Sequence, residues 1–253
     1  DDWYTLKGLY NLSDNRMVLG VATNEYRRHG TFAEFVNIPQ HILYRIPNNV
    51  SFTQAAMVEP AAVAAHAVNL SCINWNDSVV VAGTGIIGLF IIQIARSRGC
   101  GNIFAIDIDD FKLEKAKNFG ADFVINSLSE NAPERIMELT SGRGADIVFE
   151  AAGLQETVSI SIDSVRKGGT VVLVGNISPV VQIPLQSVVT RQVKIQGSCA
   201  LCGEYSSVLD MMARGEVNVE SLVSAEAPLS EGAEWFKKLY NRESQLLKVI
   251  LKP

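Results

Sequence analysis

The chain has 253 residues, of which 47% are hydrophobic and 19% charged, and its formal net charge is −5. This mildly acidic, globular composition contains no dense basic run, so we expect no nucleic-acid partner. We also expect no membrane association, because no apolar stretch reaches the roughly 20 residues of a membrane helix. The four cysteines are too few for a disulfide scaffold, and the first residues lack the pattern of a signal peptide, which favours a cytoplasmic location.

The first part of the chain, residues 1–53, is predicted to form loops and short strands. Residues 31–36 alternate apolar and polar side chains, as a half-buried strand does, and residues 42–46 look similar. Pro39 lies between these two segments, and Pro47 follows the second. An alanine-rich helix is then predicted to begin near Ser51 and to run through Ala67.

From Ser78 onward, short strands and helices alternate. The predicted strands are 79–82, 102–108, 123–125, 146–149, 170–174 and 193–196; the predicted helices are 86–98, 111–119, 134–139 and 155–165, followed by late helices at 204–214 and 231–240 and a last strand at 247–251. These strands are continuously apolar instead of alternating, which is typical of a parallel sheet covered by helices on both faces. The sequence therefore predicts an α/β fold with a doubly wound parallel sheet.

A glycine-rich loop, Gly83-Thr84-Gly85-Ile86-Ile87-Gly88, follows the first of these strands and opens a helix. Such a loop in this context is typical of a dinucleotide site, since each glycine has a separate task. Gly83 permits the tight turn, Gly85 lets the backbone approach the pyrophosphate, and Gly88 lets the helix pack on the strand. The free amides at the helix N-terminus attract phosphate.

Asp107, at the end of the next predicted strand, completes this pattern. Its carboxylate can accept hydrogen bonds from both ribose hydroxyls, and its charge would repel a 2′-phosphate, so NAD is favoured over NADP. The alternative is a glycine-rich turn in a domain that binds nothing.

Further stretches distributed along the chain carry a family resemblance. They are residues 30–35, 57–66, 83–88, Asp107 with 112–117, 120–122, 150–153, 168–175 and 196–198. Together they resemble the zinc-dependent medium-chain dehydrogenases, and among these most the sorbitol (iditol) dehydrogenase branch. The resemblance implies an NAD-binding Rossmann domain at 61–199, flanked at 1–60 and 200–253 by parts of a β-rich, GroES-like catalytic domain.

The same resemblance implies a function and an assembly. Members of the branch transfer hydride between a secondary, polyol-like alcohol and nicotinamide, and they are commonly homodimers or homotetramers. Glu59 matches a glutamate at the catalytic zinc, where it is a direct or water-mediated ligand; the alternative is a carboxylate that only begins a helix. Lys112 matches a residue near the adenosine ribose, or is simply solvated. The residues expected to line the nicotinamide pocket are Val174, Gly175, Asn176, Ser198 and Cys199.

The chain also departs from this family at both zinc sites. The resemblance places the catalytic cysteine and a Gly-His-Glu motif in a segment of about ninety residues before residue 1. A catalytic zinc needs about three protein ligands, and this chain offers Glu59 alone. Asp2, Thr5 and Ser13 stand where the four-cysteine structural site would be; because hydroxyls are poor zinc ligands, no structural zinc is expected.

Three other functions remain open at this stage. The chain could be a non-catalytic NAD-binding protein or fragment, as the missing zinc ligands suggest. It could oxidise an amino alcohol, as threonine dehydrogenases do. It could also be a zinc-free reductase of the quinone type, which Glu59-Pro60 argues against.

Overall fold

A parallel β-sheet forms the centre of the molecule in the computed structural model, which describes residues 2–21, 27–241, 243 and 245–253. The strands are β1 (Val18–Leu19), β2 (Arg27–Arg28), β3 (Val79–Ala82), β4 (Ile103–Asp107), β5 (Phe123–Asn126), β6 (Ala145–Glu150), β7 (Val165–Leu173), β8 (Lys194–Gly197), β9 (Val223–Pro228) and β10 (Lys248–Lys252). The helices are α1 (Trp3–Leu6), α2 (Phe52–Ala55), α3 (Val58–Ser71), α4 (Ile86–Ser97), α5 (Asp110–Asn118), α6 (Ala132–Leu139), α7 (Gln155–Ser164), α8 (Leu185–Thr190), α9 (Tyr205–Ala213) and α10 (Gly232–Tyr240).

The central sheet has the strand order β5-β4-β3-β6-β7-β8, and every neighbouring pair is parallel. The chain thus starts in the middle, moves to one edge and then returns to fill the other half. This is the order of the doubly wound dinucleotide-binding fold, whose ligands lie outside the carboxyl ends of the strands where the order reverses. The predicted fold class is confirmed.

Alternate residues of the central strands face two separate cores. On β3, Val79 and Val81 pack with helices α3, α4, α5 and α9, whereas Val80 packs on the other face with α6. Helices therefore cover both faces of the sheet, which explains why its strands are uniformly apolar. Each fully buried leucine, isoleucine or phenylalanine stabilises the fold by about 1.5–3 kcal/mol relative to an exposed one.

The two strands predicted in the first part of the chain are wrong. Residues 31–36 form no regular strand, and residues 42–46 follow a short 3₁₀ turn at Gln40–Ile42 as irregular chain. Phe35 is 90% exposed and Phe32 is 65% exposed, so the apolar side chains of this alternating segment are not buried in a core. A strand needs a neighbour to accept its backbone hydrogen bonds, and among the described residues this segment has none. The alanine-rich helix is confirmed as α2 and α3.

The last part of the chain returns to the central core. α9 buries Val208, Leu209 and Met212 in the same core as α3. The predicted late helices are confirmed, and the predicted last strand is β10, which pairs in parallel with β9, a strand that the sequence analysis missed. Helices α3 and α9 pack in the same core as the sheet, so this core extends past the predicted boundary near residue 199. The domain boundaries near residues 60 and 199 stay a prediction. No helix of the described residues is long and apolar enough to span a membrane.

A cluster of ion pairs around the buried carboxylate of Asp146 closes the amino end of the sheet, opposite the ligand-binding edge. Asp146 on β6 accepts hydrogen bonds from Arg143 (2.8 and 2.7 Å) and Arg166 (2.6 Å), and from the backbone and side chain of Ser78 (2.9 and 2.8 Å). Burial acts to raise the pKa of Asp146, but the two arginines and Ser78 outweigh it and hold that pKa well below its usual range. The cluster ties β6 to β3 and β7.

Candidate nucleotide-binding site

The predicted nucleotide-binding residues meet along the carboxyl edge of the central sheet. Gly83 follows β3, Asp107 ends β4, Gly175 follows β7 and Ser198 follows β8. The loops after neighbouring strands touch one another: a Cβ on Gly83 would lie 3.1 Å from Ala152, and one on Gly175 would lie 2.1 Å from the amide nitrogen of Gly153. The sheet therefore brings residues distant in sequence into one continuous row, as the topology predicts.

The glycine loop has the geometry that its three tasks require. Gly83 adopts a φ of +95°, which favours glycine, and a Cβ on Gly88 would lie 1.9 Å from the carbonyl oxygen of Gly83. Gly85, in contrast, has an extended backbone, and a Cβ there would meet nothing within 4 Å. Gly83 and Gly88 are thus required by packing, whereas Gly85 leaves space in front of the loop.

Helix α4 begins at this space without a side-chain cap. Gly85 is its N-cap residue and has no side chain with which to bond the first-turn amides. The uncapped amides at the start of α4, including those of Ile86 and Ile87, carry the partial positive charge of the helix N-terminus. An anion in front of Gly85 would satisfy them, so the local structure fits a diphosphate.

Asp107 is held against the glycine loop by hydrogen bonds to both carboxylate oxygens. Its Oδ2 accepts from the amide (2.7 Å) and the hydroxyl (3.0 Å) of Thr84, which is completely buried. Its Oδ1 accepts from the amides of Ile108 (2.8 Å) and Asp109 (3.1 Å). The carboxylate is therefore fixed at the carboxyl end of β4. Lys112, in the first turn of α5, lies 4.0 Å from the carboxylate of Asp109 and is partly exposed.

Glu150, for which the sequence predicts no role, lies in the middle of this row and bonds to the loops after β6 and β7. Its buried carboxylate accepts hydrogen bonds from Ala152 N (3.0 Å), Gly153 N (2.7 Å) and Thr157 Oγ1 (2.6 Å). Its carbonyl oxygen accepts from the amides of Val174 and Gly175. An acidic residue at the end of an apolar strand was the available signal. Glu150 joins the loops after β6 and β7 where the nicotinamide pocket is predicted.

The far end of the row contains a polar atom without a partner. The Ser198 hydroxyl is buried and makes no hydrogen bond in the structure, although the Ser198 amide donates to Leu173 O (2.9 Å). A buried, unpaired hydroxyl costs stability, so a ligand that bonds to it would be favoured. Asn176 is exposed, and the Cys199 thiol lies 3.9 Å from Asn11 O.

Glu59 lies in the first turn of α3. Although its side chain reaches solvent, the surrounding protein raises its pKa, chiefly by desolvation, and the positive charge of Lys248 opposes this shift. Burial, together with the charge of Glu59, raises the pKa of nearby Tyr205 to about 12. No three His, Cys, Asp or Glu side chains in the described part of the chain converge as a metal site would require. The described residues therefore do not fit a complete zinc site.

The residues that stand where the family's structural-zinc lobe would be bond to one another. The Asp2 carboxylate accepts hydrogen bonds from Thr5 N (2.8 Å), Ser13 Oγ (2.6 Å) and Asp14 N (2.9 Å). These bonds hold the pKa of Asp2 well below its usual range, with the Ser13 hydroxyl as the largest cause. This small lobe is thus closed by hydrogen bonds to one carboxylate.

Known proteins resemble this chain at the level of family, sequence and solved structure. A family model described as zinc-binding dehydrogenase matches residues 87–214. The chain is 32% identical over 237 residues to a probable D-xylulose reductase A of Aspergillus clavatus, covering 92% of this chain and 65% of that protein. It is 33% identical to a sorbitol dehydrogenase of Halalkalibacterium halodurans, covering 99% of this chain and 72% of the relative. The solved structure of alcohol dehydrogenase TADH from Thermus sp. ATN1 superposes with a TM-score of 0.90 at 29% identity, covering 99% and 74% of the two chains.

Proposed function

The chain belongs to the zinc-binding dehydrogenase family, in its polyol dehydrogenase branch, and on this premise we propose that it binds NAD along the carboxyl edge of the sheet. The observation that carries the proposal is the empty space in front of Gly85, between the uncapped start of α4 and the fixed carboxylate of Asp107. A diphosphate needs the uncapped amides at the start of α4, and an unphosphorylated ribose needs the carboxylate of Asp107.

The remaining predicted residues are proposed to serve the other parts of the same cofactor. Lys112 of α5 would lie near the adenosine end. Val174, Gly175 and Asn176 follow β7, and Ser198 and Cys199 follow β8, so they would lie near the nicotinamide end. The Ser198 hydroxyl offers the unsatisfied polar group that a carboxamide would bond. When bound, the nicotinamide ring supplies the hydride acceptor; the protein's residues position it against the substrate carbon and exclude water.

NAD is the proposed cofactor because of the charge at Asp107. Both oxygens of this carboxylate are held by donors, so the residue stays in place at the end of β4. A 2′-phosphate brought to the same position would meet a fixed negative charge, whereas ribose hydroxyls can donate to it.

The proposed reaction is the transfer of hydride between a secondary, polyol-like alcohol and this cofactor. The chain spans about two thirds of the length of the D-xylulose reductase relative, and Glu59 is its single assigned candidate for a zinc ligand, so no step is derived through the metal.

An assay of the full-length gene product with NAD, zinc and a panel of substrates separates this reaction from amino-alcohol oxidation and from NAD binding without catalysis. We expect the absorbance of reduced cofactor at 340 nm to rise with polyols such as sorbitol or xylitol and to stay at background with threonine. Turnover with threonine alone would support amino-alcohol oxidation instead. NAD binding without any turnover would support the non-catalytic function and contradict the proposed reaction.

We also propose a homodimer formed at the β8 edge of the sheet, in a reducing, cytoplasmic location. β8 is the last strand on its side of the central sheet, and residues 177–189 beside it expose a group of apolar side chains. This group contains Ile177 (74% exposed), Val180 (82%), Leu185 (65%) and Val189 (67%). An exposed apolar patch next to an open sheet edge favours pairing across a two-fold axis.

Changing Val180 and Val189 to aspartate together is expected to convert the dimer to a monomer, since two charges would be buried in the interface. Light scattering after size-exclusion chromatography measures the mass. Leu128→Asp serves as the control, because Leu128 is 77% exposed beyond β5, near the opposite edge. A monomeric unmodified protein, or a double variant that stays dimeric, would contradict the proposed interface.

A further inference from the structure

The hydrogen bonds to the Asp107 carboxylate come from backbone amides and from one side chain, and only the last of these depends on the residue type. Its carboxylate accepts four bonds, two at each oxygen, and a carboxylate has about four lone-pair positions. Three of these donors are backbone amides, which almost any sequence in this loop would supply. The fourth is the Thr84 hydroxyl, 3.0 Å from Oδ2, which depends on the side chain.

The Thr84 hydroxyl cannot be replaced by solvent. Thr84 is 0% exposed, so water does not reach its hydroxyl, although the Asp107 carboxylate itself is partly exposed. Without the hydroxyl, the carboxylate oxygen would face an apolar group at the same place. A charged oxygen without its partner in such a position is costly, and the carboxylate would turn toward solvent to recover hydrogen bonds.

The orientation of this carboxylate decides which dinucleotide the site accepts. Held by Thr84, the charge stays where the 2′ position of the ribose must come. Asp107 is partly exposed, so a ribose hydroxyl can approach the carboxylate from the solvent side and share one of its oxygens while the Thr84 hydroxyl stays bonded. A carboxylate that has turned away neither accepts from the ribose nor repels a 2′-phosphate.

We infer that Thr84 is a positioning residue that sets the preference for NAD over NADP by holding the Asp107 carboxylate toward the ribose. The inference rests on the proposed NAD function, and it adds to that function the side chain on which selectivity depends. Thr84 itself need not touch the cofactor: it acts through Asp107, and its removal changes the difference between two ligands more than the affinity for either.

The test compares dissociation constants for NAD and NADP by calorimetry in the unmodified protein and in Thr84→Val. We expect the ratio of the NADP constant to the NAD constant to fall by about tenfold in Thr84→Val, and Thr84→Ser, which keeps the hydroxyl, to restore it to within about threefold. Thr84→Ala removes the hydroxyl without placing a methyl group against the carboxylate, and it gives the same comparison if the valine variant does not fold.

Thr157→Val is the matched control, because the Thr157 hydroxyl also bonds a buried carboxylate, that of Glu150 (2.6 Å). It should weaken both dinucleotides alike and leave their ratio unchanged. If Thr84→Val and Thr84→Ala also leave the ratio unchanged, Thr84 has only a structural role and the inference is wrong, while the proposed function stands. If the unmodified folded protein binds neither dinucleotide, the proposed function fails and the inference fails with it.

Discussion

Gly85→Val is expected to lower the affinity for NAD by at least about a hundredfold while leaving the fold intact. The backbone of Gly85 is extended (φ −69°, ψ −170°), and a Cβ there meets nothing within 4 Å, so no clash disturbs the fold. Because valine is a poorer N-cap residue than glycine, the free energy of unfolding should fall by about 1 kcal/mol. The added methyl groups would instead fill the space through which a diphosphate reaches the amides of α4.

Gly85→Ala gives a graded comparison at the same position. Its single methyl group should weaken NAD less than valine does, with equally small effects on stability. Calorimetry with NAD and urea unfolding measure the two quantities separately. A folded Gly85→Val protein that binds NAD as well as the unmodified chain would show that the cofactor does not use this space.

The second large effect concerns stability and lies at the opposite end of the sheet. Asp146→Asn leaves Arg143 and Arg166 without their counter-charge and is expected to lower the free energy of unfolding at pH 7 by about 2 kcal/mol. This figure is below the value for a fully buried pair because the Arg143 side chain is 54% exposed and its charge is screened by solvent. Glu216→Gln is the matched control, since its pair with Arg214 is exposed at both ends, and it should change stability by less than about 0.5 kcal/mol.

The pH dependence of the Asp146 effect has a defined sign. The pKa of Asp146 in the folded protein is well below the value of about 3.9 expected in the unfolded chain. The carboxylate therefore stabilises the fold above that unfolded pKa, and this contribution is lost as the pH falls through it toward the folded pKa. Urea unfolding at pH 7 and near pH 3 should show the difference between the unmodified protein and Asp146→Asn shrinking at the lower pH. A difference of equal size at both pH values would contradict this role of the charge.

The central fold could be predicted from the sequence because its signals are local and repeated. The apolar run Val79–Ala82 and the glycine loop after it identify a buried parallel strand and a helix start within ten residues, and α4 begins at the predicted residue. The strand order then follows from the general rules for such sheets. Regions outside this pattern lacked those signals: β9 was missed because Val223–Pro228 mixes small, polar and charged residues.

The first part of the chain shows the opposite failure. Alternation at 31–36 is the pattern of a half-buried strand, but Phe32 contacts Phe236 edge to face (5.7 Å) while Phe35 is almost fully exposed. Alternation reports which side chains can share a face; it does not show that a partner strand exists.

The individual residues of the candidate site could be predicted from the sequence, but the hydrogen bonds that join them could not. Gly83, Gly85, Gly88 and Asp107 follow from spacing, whereas the bond between Thr84 and Asp107 joins residues that only the parallel pairing of β3 and β4 brings together. The role of Glu150 likewise depends on loops after β6 and β7 that are distant in sequence. Such contacts belong to the tertiary structure, so no local pattern contains them.

The most direct test of the central claim is calorimetry of the unmodified protein with ADP-ribose and with 2′-phospho-ADP-ribose. Both ligands carry the diphosphate for α4 and the ribose for Asp107 but lack the nicotinamide, so the two proposed contacts are measured by themselves. The account predicts that ADP-ribose binds and that the 2′-phosphate weakens binding by at least about tenfold. Folded protein that takes up neither ligand, or that prefers the 2′-phosphorylated one, would contradict it.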